Sequence, residues 1–392
     1  MMTKVTTGLE RFIAGSHKPL KNRRIGLLCN PASVDSRLQH AKYLLQQKFP
    51  GQLTALFSPQ HGLFAEKQDN MIESDDLIDD DLKIPAFSLY GTTRIPTPQM
   101  FDHIDTLIID LLDVGTRVYT FTSTVSYCLE VAAKLNKEVI VLDRPNPVNG
   151  IQVEGNCLNL SVSSFVGRYP IPMRHGLTMG EFAAYINQSH NINCDLKIIP
   201  MKGWHRRMYF QDTGLPWILP SPNLPTPASA VVYPGQVIWE GTNISEGRGT
   251  TLPFEQFGAP FINIEKILSF IKGPKVPGGL LRPVAFEPTS NKWAGQVCKG
   301  FQIHVTDPYQ FKPYLTSLHL LQAIIFHHNN QFQWKSPPYE YEWEKLPMDM
   351  ILGNQNIRRQ IENIDDIESI RKGWESELND FLLSARKFYL YE

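Results

Sequence analysis

The chain has 392 residues, of which 42% are hydrophobic and 20% are charged, and its formal net charge is -1. This length is typical of two packed domains, and the apolar content excludes extensive disorder. Because there is no excess of basic residues to neutralise phosphates, a nucleic-acid partner is not expected.

The first 150 residues alternate short apolar runs with stretches of helical character. The predicted strands are 24–29, 53–57, 85–90, 106–112 and 138–142, and the predicted helices are 35–48 and 123–135. Continuous apolar strands that alternate with amphipathic helices indicate a parallel sheet that is covered on both faces. The sequence therefore predicts an α/β fold, with a Rossmann-like doubly wound domain over residues 1–150.

The second half of the chain, residues 151–392, is less regular. A short strand is predicted over 151–157, and a helix over 178–187 begins at a Thr178 cap with Glu181 in the capping-box position. The proline-rich segment 217–226 must be extended or turning. A long loop over 241–258 is a candidate functional loop, and helices are predicted over 313–328 and 368–389.

Polar clusters follow three of the predicted strands. They are residues 58–62 with Glu66 shortly behind, residues 113–119, and residues 143–147. Ligands of doubly wound sheets bind beyond the carboxyl ends of the strands. We therefore expect these clusters to converge on one crevice.

The motifs of several common enzyme classes are absent from the sequence. There is no GxSxG elbow, no HExxH, no P-loop and no GxGxxG after the first strand. The acidic run at residues 75–81 is expected to be a solvated loop, and the histidines lack the spacing of metal ligands. We therefore expect neither a cofactor nor a metal.

The five cysteines are widely spread and form no CxxC pair, which predicts reduced and mostly buried thiols. Residues 1–12 lack the basic and apolar segments of a signal peptide, and no stretch is long enough to span a membrane. A cytoplasmic protein is expected, although a chain from which a leader had been cleaved would look the same.

The strand-end motifs are accompanied by other motifs, and together they are spread over nearly the whole chain. They are Ser-Pro-Gln-His-Gly at 58–62, Ser-Leu-Tyr-Gly at 88–91, Leu-Asp-Arg-Pro-Asn-Pro at 142–147, Arg-His-Gly-Leu-Thr at 174–178, and the segments 113–120, 153–155, 220–225, 240–250 and 253–255. In number and order these motifs resemble the exo-β-N-acetylmuramidase family of glycoside hydrolases, formerly a domain of unknown function.

The resemblance implies an N-terminal Rossmann-like domain, a smaller C-terminal α/β domain, and a site in the cleft between them. It also implies hydrolysis of the β-1,4 bond between a terminal N-acetylmuramic acid and the next sugar, in cell-wall recycling. The expected partners are therefore muropeptides or disaccharides derived from peptidoglycan, and the oligomeric state is left open.

The chain departs from the family pattern at Gln60, where many relatives carry glutamate. We interpret Gln60 as a hydrogen-bonding or packing residue. If that glutamate is the catalytic acid, the alternative is a non-catalytic muropeptide-binding protein on the same fold. An amide or ester hydrolase is a second alternative, against which stands the absence of a Ser or Cys nucleophile with a matched base.

Glycosidic cleavage usually requires one carboxylic acid that protonates the leaving oxygen and a second carboxylate that acts as base or nucleophile. Glu66 and Glu154 follow strand-end loops and are the predicted catalytic pair, with a solvated loop residue and an ion-paired turn residue as the respective alternatives. Further candidates are Asp113, Asp143, Glu240 and Glu246. The acetamido group of the substrate can itself act as nucleophile, and the sequence leaves these mechanisms open.

The lactyl ether of N-acetylmuramic acid ends in a carboxylate, which a guanidinium recognises well. Arg117, Arg174 and Arg248 lie in the matched motifs and are the candidates, with structural ion pairing as the alternative. Other predicted substrate-binding residues are His61, Tyr119, Arg144, Asn146, His175, Asn223, Glu240, Asn243 and Glu246. For Tyr90 and Trp239, core packing is favoured over stacking on a sugar.

Overall fold

The structure is a computed structural model that describes residues 4–16, 20–69, 71–271 and 276–392. Residues 1–3, part of the segment without leader features, lie outside the described residues. The strands are β1 (Ile25–Cys29), β2 (Leu53–Ser58), β3 (Leu77–Ile78), β4 (Pro85–Ser88), β5 (Thr106–Asp110), β6 (Glu138–Leu142), β7 (Glu154–Cys157), β8 (Pro172–Arg174), β9 (Asp195–Ile199), β10 (Gln256–Ala259), β11 (Gly279–Phe286) and β12 (Cys298–Val305).

Helices flank and follow these strands along the chain. They are α1 (Gly8–Ala14), α2 (Ala41–Lys48), α3 (Pro98–Phe101), α4 (Phe121–Lys134), α5 (Met179–Ser189), α6 (Pro227–Gln236), α7 (Ile264–Phe270), α8 (Pro313–His328), α9 (Pro347–Leu352), α10 (Gln355–Glu362), α11 (Ile367–Gly373) and α12 (Glu375–Ala385). Short 3₁₀ segments include Val237–Gly241, which follows α6 directly.

A seven-stranded sheet in the order β3-β4-β2-β1-β5-β6-β9 forms the centre of the first half. All neighbours pair in parallel except β3, which is antiparallel to β4 at one edge. The strands β1, β5 and β6 are buried throughout, which explains their continuous apolar sequence.

Both faces of this sheet are covered by helices. Leu107 and Ile109 of β5 belong to the core that includes residues of α4 and α5, whereas Ile108 between them belongs to the core that includes residues of α1 and α2. Successive side chains of a strand point to opposite faces. The predicted α/β, Rossmann-like doubly wound sheet is therefore confirmed.

The predicted strands of the first 150 residues are all present, with ends within two residues of the prediction. The capping box of Thr178 and Glu181 at α5, and the bounds of α8, are also as predicted. The domain boundary near Gly150 stays a prediction. The large sheet continues past that residue, because β9 pairs with β6.

The helix predicted over 35–48 was wrong at its start, because α2 begins at Ala41. The residues before it form a turn in which Asp35 accepts hydrogen bonds from backbone N–H groups, and Leu38 has a φ of 65°. His40 then caps the helix with its side chain. A left-handed residue at position 38 cannot continue an α-helix.

The single helix predicted over 368–389 was also wrong. The chain forms α11 and α12 with a break at Trp374, whose N–H donates to the Arg371 carbonyl instead of continuing the helical pattern. The Trp374 ring is buried and lies 5.8 Å from the ring of Tyr314 in α8. The break therefore brings a large apolar side chain into the core.

The second half is built on a three-stranded antiparallel sheet in the order β10-β12-β11, with α6 and α8 packed closely together. Gly235 permits this close packing, because a Cβ atom there would lie 1.9 Å from the carbonyl oxygen of Pro313. The predicted loop over 241–258 is a loop up to residue 255 and then enters β10. Among the described residues, no helix is long and apolar enough to cross a membrane.

Candidate active site

A small cavity of about 30 Å³ lies beside an open cleft of about 1090 Å³, and residues from both halves of the chain line the cavity. Its lining residues are Gln60, His61, Val118, Tyr119, Thr120, Phe121, Val166, Ser221, Asn223, Tyr233, Glu240, Arg248, Phe254, Tyr339 and Glu340. Asn223 and Arg248 line both spaces, so the cavity adjoins the cleft.

Glu240 is a buried carboxylate with strong partners in the cavity wall. It lies in the 3₁₀ segment after α6, and its Oε1 accepts a hydrogen bond of 2.7 Å from Arg248 Nη2. Its Oε2 accepts one of 2.6 Å from the hydroxyl of Tyr339. Burial acts to raise the pKa of Glu240, but Arg248 and Tyr339 outweigh it, so the pKa is lowered. Glu240 is therefore ionised at neutral pH.

Glu340 is a second buried carboxyl group in the same wall, and its surroundings differ from those of Glu240. Its Oε1 accepts a hydrogen bond of 3.1 Å from Gln60 Nε2, and its Oε2 accepts one of 2.6 Å from the hydroxyl of Tyr90. Burial raises the pKa of Glu340 to about 7, and the neighbouring Glu240 carboxylate acts in the same direction. A substantial fraction of Glu340 is therefore protonated at neutral pH.

A network of alternating charges holds the loop that carries Arg248. Arg248 Nε lies 3.0 Å from Glu246 Oε1, and Lys292 Nζ lies 2.8 Å from Glu246 Oε2. Together with Glu240, the network contains two carboxylates and two cations, so it carries no net charge. Lys292 also donates to the backbone carbonyls of Trp239 and Ile244, which ties the loop to the 3₁₀ segment before it.

His61 lines the cavity as a neutral imidazole. Its Nδ1 lies 2.7 Å from the carbonyl oxygen of Lys67, and burial lowers the pKa of the ring to about 4. The backbone is left-handed at His61 (φ 78°) and at Gly62 (φ 85°), so the loop after β2 turns sharply here. Glycine adopts this conformation without a steric penalty.

The predicted catalytic residues Glu66 and Glu154 are not brought together in the cavity. Glu66 is exposed, and its Oε2 accepts a hydrogen bond of 3.3 Å from the N–H of Phe64. Glu154 is buried at the start of β7, where its Oε1 accepts a hydrogen bond of 2.8 Å from the N–H of Leu315 in the first turn of α8. Neither of these described residues lines the cavity or the cleft.

The three arginines predicted to recognise the lactyl group all lie in the described part of the chain. Of these three, Arg248 lines the cavity and the cleft. Arg117 is buried and donates to three backbone carbonyl oxygens. Arg174 donates to the carbonyl of Val148. Arg144 forms a two-pronged ion pair with Asp110, at 2.5 and 2.8 Å. The contacts of these last three are those of structural residues.

Tyr119 and Asn223, both predicted to bind substrate, line the cavity. Asn146 instead donates to the carbonyl of Leu177, and Asn243 forms backbone hydrogen bonds that fasten the segment 331–333. His175 Nε2 lies 3.3 Å from an oxygen of the buried Asp113. This last pair is outside the cavity wall.

Asp143, another candidate acid, joins distant parts of the chain. Its carboxylate accepts hydrogen bonds from the hydroxyls of Tyr391 and Thr178 and from the N–H of Gly180, at 2.5, 2.8 and 2.8 Å. Burial raises the pKa of Asp143 to about 7 against these hydrogen bonds. Its contacts are with protein groups, which favours a structural role.

Sequence reasoning missed several residues of the cavity wall. They are Glu340, Tyr339, Tyr233, Thr120 and Ser221. Thr120 and Ser221 stand in the matched segments 113–120 and 220–225. A local signal for Tyr339 and Glu340 is the run Tyr-Glu-Tyr-Glu-Trp-Glu at 339–344, which alternates aromatic and acidic residues after two prolines. Among the described residues, no group of three or more His, Cys, Asp and Glu side chains is placed to hold a metal ion.

Comparisons with known proteins cover almost the whole chain. Residues 25–228 match the family model described as exo-beta-N-acetylmuramidase NamZ, N-terminal, and residues 231–391 match the corresponding C-terminal model. The peptidoglycan beta-N-acetylmuramidase NamZ of Bacillus subtilis (strain 168) is 41% identical over 388 residues, which cover 99% of this chain and 92% of the relative.

Two solved structures have the same fold. Both are DUF1343 family proteins from Bacteroides fragilis NCTC 9343. One has a TM-score of 0.89 at 33% identity and covers 99% of each chain. The other has a TM-score of 0.77 at 27% identity and covers 100% of this chain and 99% of its own.

Proposed function

Because the chain belongs to the exo-β-N-acetylmuramidase family, we propose that it is a glycoside hydrolase that removes N-acetylmuramic acid from the non-reducing end of peptidoglycan fragments. One observation carries this proposal. Two buried carboxyl groups, Glu240 and Glu340, line one cavity and have pKa values displaced in opposite directions. Glycosidic hydrolysis needs one protonated and one ionised carboxyl group, and such displacement supplies both.

Recognition of the muramic acid is assigned to the edge of the cavity. Arg248 is the proposed reader of the lactyl carboxylate, because it lines both the cavity and the cleft. The cleft also offers amide side chains, Gln68, Asn223 and Asn291, that can hydrogen-bond to sugar hydroxyls or to an attached peptide. A bulky aglycone fits the cleft better than the cavity.

The test is a comparison of p-nitrophenyl β-N-acetylmuramide with the matching β-N-acetylglucosaminide, which lacks the lactyl group. We expect release of p-nitrophenol from the muramide at a rate at least about tenfold higher, because one charge-assisted hydrogen bond is worth about 1.5–3 kcal/mol. A disaccharide with N-acetylmuramic acid at the non-reducing end should be cleaved, and its isomer with the sugars exchanged should not.

The same assay separates the alternatives. Tight binding of a muropeptide without turnover would favour the non-catalytic binding protein. Cleavage of an amide or ester in the stem peptide would favour the second alternative. The pair Glu66 and Glu154 stays a prediction, and the variants Glu66→Gln and Glu154→Gln test it in this assay.

We also propose that the protein acts on fragments recovered in the cytoplasm, as part of cell-wall recycling. All five cysteines lie in described residues and are buried thiols without a disulfide, which is common in reducing compartments. Fractionation of cells that express the native gene, with an antibody against this protein, tests the location. Recovery in the culture medium would contradict it.

A further inference from the structure

Glu340 lies at the tip of an unusual hairpin turn. The N–H groups of Tyr339 and Glu342 each donate to the carbonyl oxygen of the other, both at 3.0 Å. The two residues between them, Glu340 and Tyr341, have positive φ angles of 48° and 65°. Such turns are normally made by Asn-Gly or similar pairs, because a left-handed backbone brings the Cβ atom of most residues too close to a carbonyl oxygen. Strained backbone of this kind clusters at active sites, although it also occurs in ordinary turns.

The donors around the Glu340 carboxyl group have fixed orientations. The hydroxyl of Thr120 donates to Gln60 Oε1 at 2.6 Å, so the amide nitrogen of Gln60 faces Glu340. The hydroxyl of Tyr90 accepts from the N–H of Met71 at 3.1 Å and directs its own proton to Glu340. Each carboxyl oxygen has two lone pairs. With one donor on each oxygen, a lone pair remains on each to carry a proton.

Burial is the main cause of the raised pKa of Glu340, and its charged neighbours act in opposite directions. The Glu240 carboxylate opposes ionisation of Glu340, and Lys335 favours it. The guanidinium of Arg248 is engaged by Glu240 and Glu246. Among the described residues, the phenols of Tyr90, Tyr233, Tyr339 and Tyr341 also interact with Glu340, and all have raised pKa values and are therefore neutral. His61, in the same cavity wall, is a neutral imidazole.

We infer that Glu340 is the proton donor of the hydrolysis, and that Gln60 and Tyr90 are positioning residues that hold its carboxyl group. This inference rests on the proposed function. The carboxyl proton passes to the glycosidic oxygen as the bond between C1 and that oxygen breaks, and the electron pair of the bond stays with the oxygen. A water molecule then supplies hydroxyl to C1, and its remaining proton restores the enzyme. The net reaction consumes one water.

This assignment accounts for Gln60. An amide cannot supply a proton at neutral pH, so the position cannot act as an acid in this chain. Gln60 instead accepts a hydrogen bond from Thr120 and donates one to Glu340, and so fixes the carboxyl group that can supply the proton. The carboxyl group that can supply a proton lies in the second half of the chain, at residue 340.

The test measures how the loss of activity depends on the leaving group. For Glu340→Gln we expect turnover of the disaccharide to fall about 10²–10⁴-fold, the usual contribution of a general acid. Turnover of a 2,4-dinitrophenyl muramide should fall less than about tenfold, because this phenolate leaves without protonation. The alkaline limb of the pH profile should disappear. Glu130→Gln is the matched control, because Glu130 also accepts from a tyrosine hydroxyl, that of Tyr169, but lies outside the cavity.

Variants of the positioning residues provide a second readout if Glu340→Gln does not fold. The hydrogen bonds from Tyr90 and Gln60 lower the pKa of Glu340. Tyr90→Phe and Gln60→Leu should therefore move the alkaline limb to higher pH, which a purely structural role would not do. An unmoved limb would overturn the inference.

Three further outcomes are decisive. Equal losses on both substrates in a folded Glu340→Gln protein would overturn the assignment but leave the proposed function intact. If the loss of activity depends on the leaving group in Glu66→Gln or Glu154→Gln and not in Glu340→Gln, the assignment of Glu340 is also overturned and the proposed function is left intact. If the wild-type protein hydrolyses neither substrate, the proposed function fails, and the assignment fails with it.

Discussion

Gln60 and Glu340 are separated by 280 residues in the chain, yet the amide of Gln60 donates to the Glu340 carboxyl over 3.1 Å. This hydrogen bond connects the loop after the second strand of the large sheet to a hairpin turn of the second half. The side chain at position 60 therefore determines one of the hydrogen bonds of the Glu340 carboxyl group. The two residues come into contact only when the chain folds.

Restoring a carboxyl group at position 60 should change the pH dependence of activity. In Gln60→Glu, two carboxyl groups about 3 Å apart would share one proton, because like charges at this distance cannot both ionise readily. We expect the alkaline limb of the kcat/KM profile to move up by on the order of one pH unit. Steady-state kinetics from pH 4 to 9 test this, and a limb that moves down would contradict the shared-proton geometry.

Stability should fall as pH rises through the pKa of Glu340. Its pKa is about 7 in the folded protein against an ordinary value of 4.5 for a glutamate, so the folded state binds more protons between these pH values. The stabilising contribution is fully present below pH 4.5 and is lost as pH rises through 7, a change of roughly 3 kcal/mol. Denaturant unfolding at pH 4.5 and 8 should therefore show a larger loss for wild type than for Glu340→Gln.

The pH effect of Asp143 does not disturb that comparison. Burial also raises its pKa to about 7, but Asp143 is present in both proteins and its contribution cancels. If the two proteins lose equal stability between these pH values, Glu340 ionises normally in the folded state.

Removing the cation at the centre of the charge network should destabilise the protein. In Arg248→Met, the carboxylates of Glu240 and Glu246 lose their shared partner, and leaving a buried charge uncompensated costs about 3–5 kcal/mol. The double variant with Glu240→Gln should recover part of this loss. Thermal unfolding of both variants measures it, and losses that simply add would contradict direct coupling.

Glu154 should prove to be a helix-capping residue. Its carboxyl group accepts from the N–H of Leu315 in the first turn of α8, where a negative charge also interacts favourably with the helix dipole. Glu154→Ala should lower the free energy of unfolding by about 1–2 kcal/mol. A loss of kcat without a loss of stability would instead support the catalytic role predicted from sequence.

The large sheet could be predicted from the sequence because its strands are buried on both faces. Such strands have continuous apolar runs, such as Leu107–Ile109. The capping box of Thr178 and Glu181 is likewise a local pattern with a local cause. The start of α2 was mispredicted because Leu38 adopts a left-handed conformation that its residue type does not favour.

The cavity could be predicted only in part. His61, Tyr119, Asn223, Glu240 and Arg248 stand in motifs that are visible in the sequence. Glu340 was missed because its significance depends on partners far away in the chain, and its turn lacks the Asn or Gly that usually marks a hairpin. Glu154 was predicted to face the crevice because it follows a strand-end loop, but β7 pairs with β8 and places Glu154 against the first turn of α8.

The hydrogen bond between Tyr391 and Asp143 joins two residues that lie 248 positions apart. During synthesis, Asp143 at the end of β6 is translated long before Tyr391, whose hydroxyl donates to its carboxylate. The Tyr391 hydroxyl also accepts from the N–H of Met201, just beyond β9. The large sheet thus gains these contacts only after residue 391 has been translated. We therefore expect the two halves to unfold in one cooperative transition, although two-domain chains usually fold one domain at a time.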